Sequence, residues 1–146
     1  MPEPEARIPD DVIEFLENHT RTILLTLRRD GSPTAHPMTG LYSDGRLSFS
    51  TYRKSAKTLN VQRDSRTACL VTTGDDDAHF QAVVYRGRSR VLEGREMPQR
   101  GRAGGDTPNV SGGTANRAAD RLKTGKRIII EVSPGEVGFL DEMSKA

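Results

Sequence analysis

The sequence predicts a mainly β domain of the α+β kind, an antiparallel barrel of six to seven strands with short flanking helices. Three observations carry this expectation. Short β-rich runs follow one another at hairpin spacing, separated by turn pairs such as Asp30-Gly31 and Asp44-Gly45. Helical periodicity is confined to short stretches, so little crossover material exists to join parallel strands. Neither the glycine fingerprint of a dinucleotide-binding βαβ unit nor a P-loop occurs.

In chain order, residues 1–9 read as a flexible arm, and residues 10–146 as a single domain. Asp10 is placed to cap a helix running to about Asn18, with Val12, Ile13, Phe15 and Leu16 on one side. Thr22 to Leu27 is the first strand. Asp30-Gly31 turns the chain, because glycine accepts positive φ at little cost. Ser32 to Tyr42 returns as a second strand, which Pro33 and Pro37 confine to an edge or a bend, since neither has an amide to donate. Beyond Asp44-Gly45, Arg46 to Thr51 alternates so that Leu47 and Phe49 share a face, completing an expected three-stranded meander. Ser55 to Arg63 reads as a short helix and Arg66 to Thr73 as a buried strand. An acidic turn at 74–77 leads to a long strand over Phe80 to Glu93. A glycine-rich insert occupies about 95–125, with helical character only near Thr114 to Leu122; segments of this kind are lids, binding loops or disorder. Arg127 to Val132 and Glu136 to Leu140 close the chain as two strands around a Pro134-Gly135 turn.

Composition narrows the function classes. The chain has 146 residues, a length that predicts one domain. Only 34% of residues are apolar, so either part of the chain lacks a core or a second copy of the chain completes it. With 22 basic and 20 acidic residues the net charge is +2, too balanced for a dedicated nucleic-acid binder. The arginine-bearing runs at 86–90 and 101–105 lack the stacking aromatics that single strands require, since aromatics make up 5% of the chain and tryptophan is absent. Cys69 is the lone cysteine, lies in an apolar run, and reads as a packing residue in a reducing compartment. No run approaches the ~20 apolar residues of a membrane helix, and the start of the chain has no apolar signal core, so no membrane contact and a cytoplasmic location are expected. His19, His36 and His79 are dispersed without metal-site spacing, and no metal is assigned. No Ser/His/Asp or Cys/His constellation is visible, and the catalytic residues stay unassigned.

The informative stretch runs from Ser48 to Asp64. A strand ends in the hydroxyls of Ser50 and Thr51, a basic turn supplies Arg53 and Lys54, and a helix opens at Ser55 carrying Lys57 and Asn60. The first amides of a helix have no internal acceptor and point outward as donors, and the helix dipole adds partial positive charge there. Lysine and arginine add full charge, and hydroxyls add adaptable hydrogen bonds. Together these are the components of a phosphate cradle; in the blander reading they are a capped surface helix with solvated basic residues.

The order of these segments resembles the flavin- and deazaflavin-binding split β-barrel superfamily, which contains the pyridoxamine 5′-phosphate oxidases and the F420-dependent reductases. The resemblance is carried by Leu-Leu-Thr-Leu-Arg-Arg-Asp-Gly-Ser-Pro-Thr-Ala-His-Pro at 24–37, by the strand, Ser-x-Lys-x-x-Asn and Arg-Asp segments within 45–64, and by Ile-Ile-Ile-Glu-Val-Ser-Pro-Gly-Glu-Val at 128–137. It implies a split barrel that forms a homodimer with cofactors in two grooves at the interface. It further implies that Ser50, Thr51, Ser55, Lys57 and Asn60 hold the cofactor phosphate, with Arg53 beside them. The ring would lie against His36, Pro37, Met38 and Thr39. Residues 97–116 depart from the pattern, because that superfamily has a helix there.

Three cofactors compete under this resemblance: coenzyme F420, FMN and haem. The C-terminal Phe-Leu-Asp-Glu-Met-Ser-Lys-Ala lacks the Arg-x-x-Pro feature of FMN-dependent pyridoxamine phosphate oxidases, and the Lys-x-x-Asn helix is closer to the F420 group. A haem would need an axial ligand such as His36 or His79. The acidic tail of F420 suits a basic strip, and Arg86, Arg88 and Arg90 alternate onto one strand face, which in the blander reading is simply solvated. The resulting expectation is an F420-dependent oxidoreductase passing a hydride between the deazaflavin and a small electron-poor organic substrate, with Tyr42, Tyr52 and His36 as candidate proton donors. The alternatives are an FMN-binding oxidase-like protein and a cofactor-binding module without turnover.

Overall fold

The computed structural model describes residues 5–94 and 126–143; the glycine-rich insert and its expected helix lie outside them. The element order is α1 (Asp10–Asn18), β1 (Arg21–Leu27), β2 (Pro33–Thr39), β3 (Leu41–Ser43), β4 (Arg46–Tyr52), α2 (Ala56–Arg63), β5 (Arg66–Thr72), β6 (Ala82–Leu92), β7 (Arg127–Phe139) and a final turn, α3 (Leu140–Met143). The seven strands form one sheet in the order β2-β1-β5-β6-β7-β4-β3, antiparallel throughout, which curls into a split barrel.

Alternation along the strands sets the core. Leu24, Leu47, Phe49, Cys69, Val71, Val83, Tyr85, Ile128, Ile130 and Val132 turn inward, and α1 closes the interior with Val12, Phe15 and Leu16. Burial pushes the Cys69 thiol well above the ordinary cysteine range, which fits a packing role. The Tyr85 ring is completely buried, and its hydroxyl lies 2.7 Å from the Gly45 carbonyl and 3.0 Å from that of Val132. Residues 5–9 are held against this body: Ala6 donates an amide to the Pro134 carbonyl, Ile8 is buried, and Glu5 pairs with Arg46.

Several elements differ from the sequence expectation, each for a local reason. Asp10 does not cap α1; it is the first helical residue, Pro9 holds the cap position, and no side chain makes a cap bond. Pro9 fits there because its fixed φ suits the entry and its missing amide is not needed. The expected single strand over 32–42 is two strands broken at Gly40, where a Cβ would lie 2.8 Å from the Phe49 ring and 2.9 Å from Thr22 Oγ1. Consequently the expected meander is absent. β2 pairs with β1 at one sheet edge, β3 lies at the other, and β4 pairs with β7. Pro134-Gly135 is not a turn either. β7 runs straight through it, and the register against β6 shifts between Arg86 and Gly87. Gly87 permits this, since a Cβ there would sit 1.7 Å from the Ser133 carbonyl oxygen. The two-residue turn at Asp44-Gly45 forms as expected, with φ of 52° and 82°.

Candidate functional site

The expected site residues divide between the two faces of the sheet. On the inner side, α2 packs against β6, β1 and β4. Ser55 is its N-cap, and the Ser55 hydroxyl accepts from the Thr58 amide at 3.2 Å and from Thr51 Oγ1 at 3.3 Å. Thr51 is itself buried at the end of β4. Both hydroxyls are therefore spent on building the helix start. What remains pointing outward are the amides of Ala56 and Lys57, which precede the first possible helical acceptor, and the half-buried Lys57 side chain. No acidic residue occupies the first turn of α2.

Asn60 is not free to hold a phosphate. It is buried, its Nδ2 donates to Thr26 Oγ1 at 3.0 Å, and its Oδ1 accepts from Arg63 at 2.7 Å. Thr26 in turn shares a 2.8 Å bond with Thr34 on β2. Asn60 thus ties α2 to β1, and only through Thr26 to β2. Sequence spacing alone suggested a ligand contact because an Asn on the first two turns looks the same in either role.

Along β2, Thr34, His36 and Met38 alternate onto the inner side, and Met38 packs against the core. Pro37 and Thr39 take the other, exposed face, so the expected ring-contact strand splits between its two sides. His36 Nε2 is closed from solvent and has no hydrogen-bond partner among the described residues. Burial, and secondarily the charge of Lys57, hold the His36 imidazole below its ordinary pKa, so it is neutral near pH 7. Of the other candidate proton donors, Tyr42 is half-buried with its phenol pushed up mainly by burial, and Tyr52 is exposed.

Ser50 faces away from Thr51. Its hydroxyl accepts from Arg127 Nε at 2.9 Å, and its carbonyl accepts from the same guanidinium at 3.1 Å. Arg127 also lies over the Tyr52 ring, 4.7 Å from its centroid. Arg127 is a residue the sequence reading missed. It reaches this place only because β4 pairs with β7, setting Tyr52 opposite Arg127. The nearby Arg53 is joined to Glu93.

Arg86 and Arg88 lie elsewhere, on the outer sheet face. With Arg66 they line a groove of about 940 Å³ whose apolar floor includes Leu25, Leu27 and Ala68. The groove is not a bare basic strip. Arg86 pairs with Glu136, Arg66 with Asp64, and Arg88 bonds Ser65 Oγ at 3.2 Å; Arg90, farther along β6, pairs with Glu131. Asp64 is held down to about 2 by the Arg66 guanidinium and amide. Among the described residues no group of three or more His, Cys, Asp or Glu side chains is arranged to hold a metal, and no helix is long and apolar enough to cross a membrane.

The profile of a family described as pyridoxamine 5′-phosphate oxidase matches residues 8–141, nearly the whole chain. The chain belongs to the pyridoxamine 5′-phosphate oxidase family. By its description that family is one of oxidases, an oxidoreductase type. Solved structures share its fold. A conserved hypothetical protein from Mycobacterium tuberculosis is 19% identical with a TM-score of 0.65, over 95% of this chain and 88% of that one. An F420 reductase is 20% identical with a TM-score of 0.62, over 90% of this chain and 98% of that one. An FAD-binding protein from Mesorhizobium loti is 16% identical with a TM-score of 0.59, over 90% of this chain and 94% of that one. No curated protein matches the sequence. Within the pyridoxamine 5′-phosphate oxidase family frame, the junction of β4, α2 and β2 is the part of this chain that gathers most of the expected cofactor residues.

Proposed function

We propose that this chain binds a phosphate-bearing tricyclic redox cofactor at the junction of β4, α2 and β2, coenzyme F420 foremost and FMN as the alternative. In this reading it is a homodimer with the cofactor at the interface, and it moves a hydride between the deazaflavin and a small electron-poor organic substrate. The observation that carries the reading is the start of α2. A capped eight-residue helix presents its first amides beside Lys57, with no carboxylate in that turn. Amides, dipole and ammonium form a donor set suited to a phosphate and unsuited to a cation.

When bound, the tricyclic ring supplies the hydride chemistry. The chain's own residues do the rest. Lys57 and the Ala56 and Lys57 amides neutralise the phosphate. Thr51 and Ser55 hold those amides in place through the cap. The Asn60–Thr26–Thr34 ties fix the distance between α2 and β2. His36, its pKa lowered by burial and by Lys57, is a poor general acid near pH 7, so product protonation falls to solvent or to a group brought by the second copy.

F420 is named first on the Lys-x-x-Asn spacing of α2; an F420 reductase and an FAD-binding protein share the fold alike, so the fold itself favours neither cofactor. The test is titration of the purified protein with F420 and with FMN, followed by absorbance and fluorescence, for the wild type and Lys57→Gln. Loss of one charge-assisted contact is expected to weaken the bound cofactor by roughly 10- to 100-fold. If neither cofactor binds the wild type at micromolar concentration, or if Lys57→Gln binds as tightly, the site is misplaced. Oxidation of reduced F420 by a panel of enones and quinones then separates an enzyme from a binding module without turnover.

A further inference from the structure

The groove on the outer sheet face has a use of its own. Its volume of about 940 Å³ is in the range of sites for small organic molecules. One side of it is hydrocarbon. Leu25 stands opposite Ala68 on β5, and Leu27 opposite Pro33 on β2. Leu25, Leu27 and Ala68 are only half-buried, although β1 and β5 are interior strands, second and third in the sheet order. A contiguous apolar surface left open in the middle of a sheet marks a binding face.

Across the groove the character changes to cationic. Arg66 and Arg88 are direct partners in the β5–β6 register, so two guanidinium groups project side by side from one face. Like charges placed opposite each other repel, and an anion between them relieves both. Asp64 accepts from Nε and Nη2 of Arg66 at 3.1 and 2.7 Å, and among the described residues nothing accepts from Nη1 of that guanidinium. Arg88 donates to the neutral Ser65 hydroxyl at 3.2 Å. The wall formed by β7 and the arm differs, because its acids are matched within the chain: Glu136 pairs with Arg86, and Glu5 with Arg46. Strands lie ~4.8 Å apart, so the path from Arg88 on β6 through Arg66 and Leu27 to Pro33 on β2 is about 14 Å long. Charge stands at one end of that path and hydrocarbon at the other.

We propose that this groove binds a free amphipathic monocarboxylic acid, its carboxylate between Arg66 and Arg88 and its hydrocarbon along Leu27, Leu25, Ala68 and Pro33. The inference is independent of the cofactor reading, since the groove lies across the sheet from the start of α2. The paired guanidiniums choose the head group, and the apolar floor requires a chain. Glu5 and Glu136 repel a second carboxylate, which limits the ligand to one.

The test is titration of the full-length protein, without added cofactor, by calorimetry and by amide ¹H–¹⁵N spectra. The probes are dodecanoate below its micelle concentration, dodecyltrimethylammonium with the same chain and the opposite charge, and acetate with the head group alone. Dodecanoate is expected to bind and to move the amide resonances of Leu27, Ala68 and Arg88, and the other two probes are expected to leave them in place. Arg66→Gln is expected to weaken dodecanoate by about 10- to 100-fold, the loss of a charge-assisted contact, with an unchanged Tm. The inference is overturned if dodecanoate does not bind the wild type, if the cationic probe binds as well, or if Arg66→Gln folds normally and binds as tightly. Sedimentation at matched concentrations tests the competing occupant. A dimer that Leu25→Asp splits, and from which dodecanoate is excluded, assigns the face to a second copy of the chain and also overturns the inference. The spectra are read on the wild type, so a poorly folding variant does not decide the matter.

Discussion

Asn60→Ala separates the role that sequence spacing suggests from the role the structure gives. The substitution deletes a buried amide that donates to Thr26 at 3.0 Å and accepts from Arg63 at 2.7 Å. The Thr26 bond is buried and neutral, so its loss costs about 0.5–1.5 kcal/mol. The Arg63 bond ends in an exposed guanidinium and adds little. Thr26 keeps its bond to Thr34, which spares it the full cost of an unsatisfied hydroxyl. The missing amide also leaves a small void under α2, which adds a comparable amount. The sum is about 1–3 kcal/mol, a fall in Tm of roughly 3–10 °C for a domain of this size. The assay is thermal and urea denaturation of the cofactor-free protein, with the m-value checked for constancy. A Tm within 1 °C of wild type refutes the tie. A large loss of cofactor affinity with no loss of cofactor-free stability would instead restore Asn60 as a ligand contact.

Three further outcomes are expected. Tyr85→Phe removes a buried hydroxyl shared between the Gly45 and Val132 carbonyls, and is expected to cost about 1–3 kcal/mol in urea denaturation with no change in cofactor affinity. Gly87→Ala places a Cβ 1.7 Å from a backbone carbonyl oxygen, so β6 and β7 must part at the bulge; a sharp loss of folded yield and of hydrogen-exchange protection in both strands is expected, and a normal Tm would contradict the geometry. Asp64, held at about 2 in the folded chain against an ordinary 3.8, contributes stability above its unfolded pKa and loses it as pH falls between those values. Stability profiles of wild type and Asp64→Asn are therefore expected to converge on acidification through that window. A constant gap would show that Asp64 acts otherwise.

The start of α2 was legible in the sequence because its signals are local. Ser55 caps α2 through an amide three residues on, and Lys57 follows in the same turn, so the strand, hydroxyl, basic turn and helix could be read in order. What could not be read was which of these polar groups the fold itself consumes. Asn60 is bonded to a residue 34 positions away and Ser50 to one 77 positions away. Arg86 and Arg88 share a strand face, as alternation says, yet that face lies across the sheet from the cradle.

The sequence by itself determined the extent of most strands, the cap and first turn of α2, the Asp44-Gly45 turn and the antiparallel class, since each depends on neighbours within a few residues. Tertiary structure alone decided that β4 joins β7, that the chain breaks at Gly40, that β7 passes through Pro134-Gly135, and that His36 Nε2 finds no partner among the described residues. The physical reason is the range of the interaction. A turn or a cap is settled by sterics and hydrogen bonds along the chain, whereas strand order and the satisfaction of a buried atom depend on which distant segments close the same core.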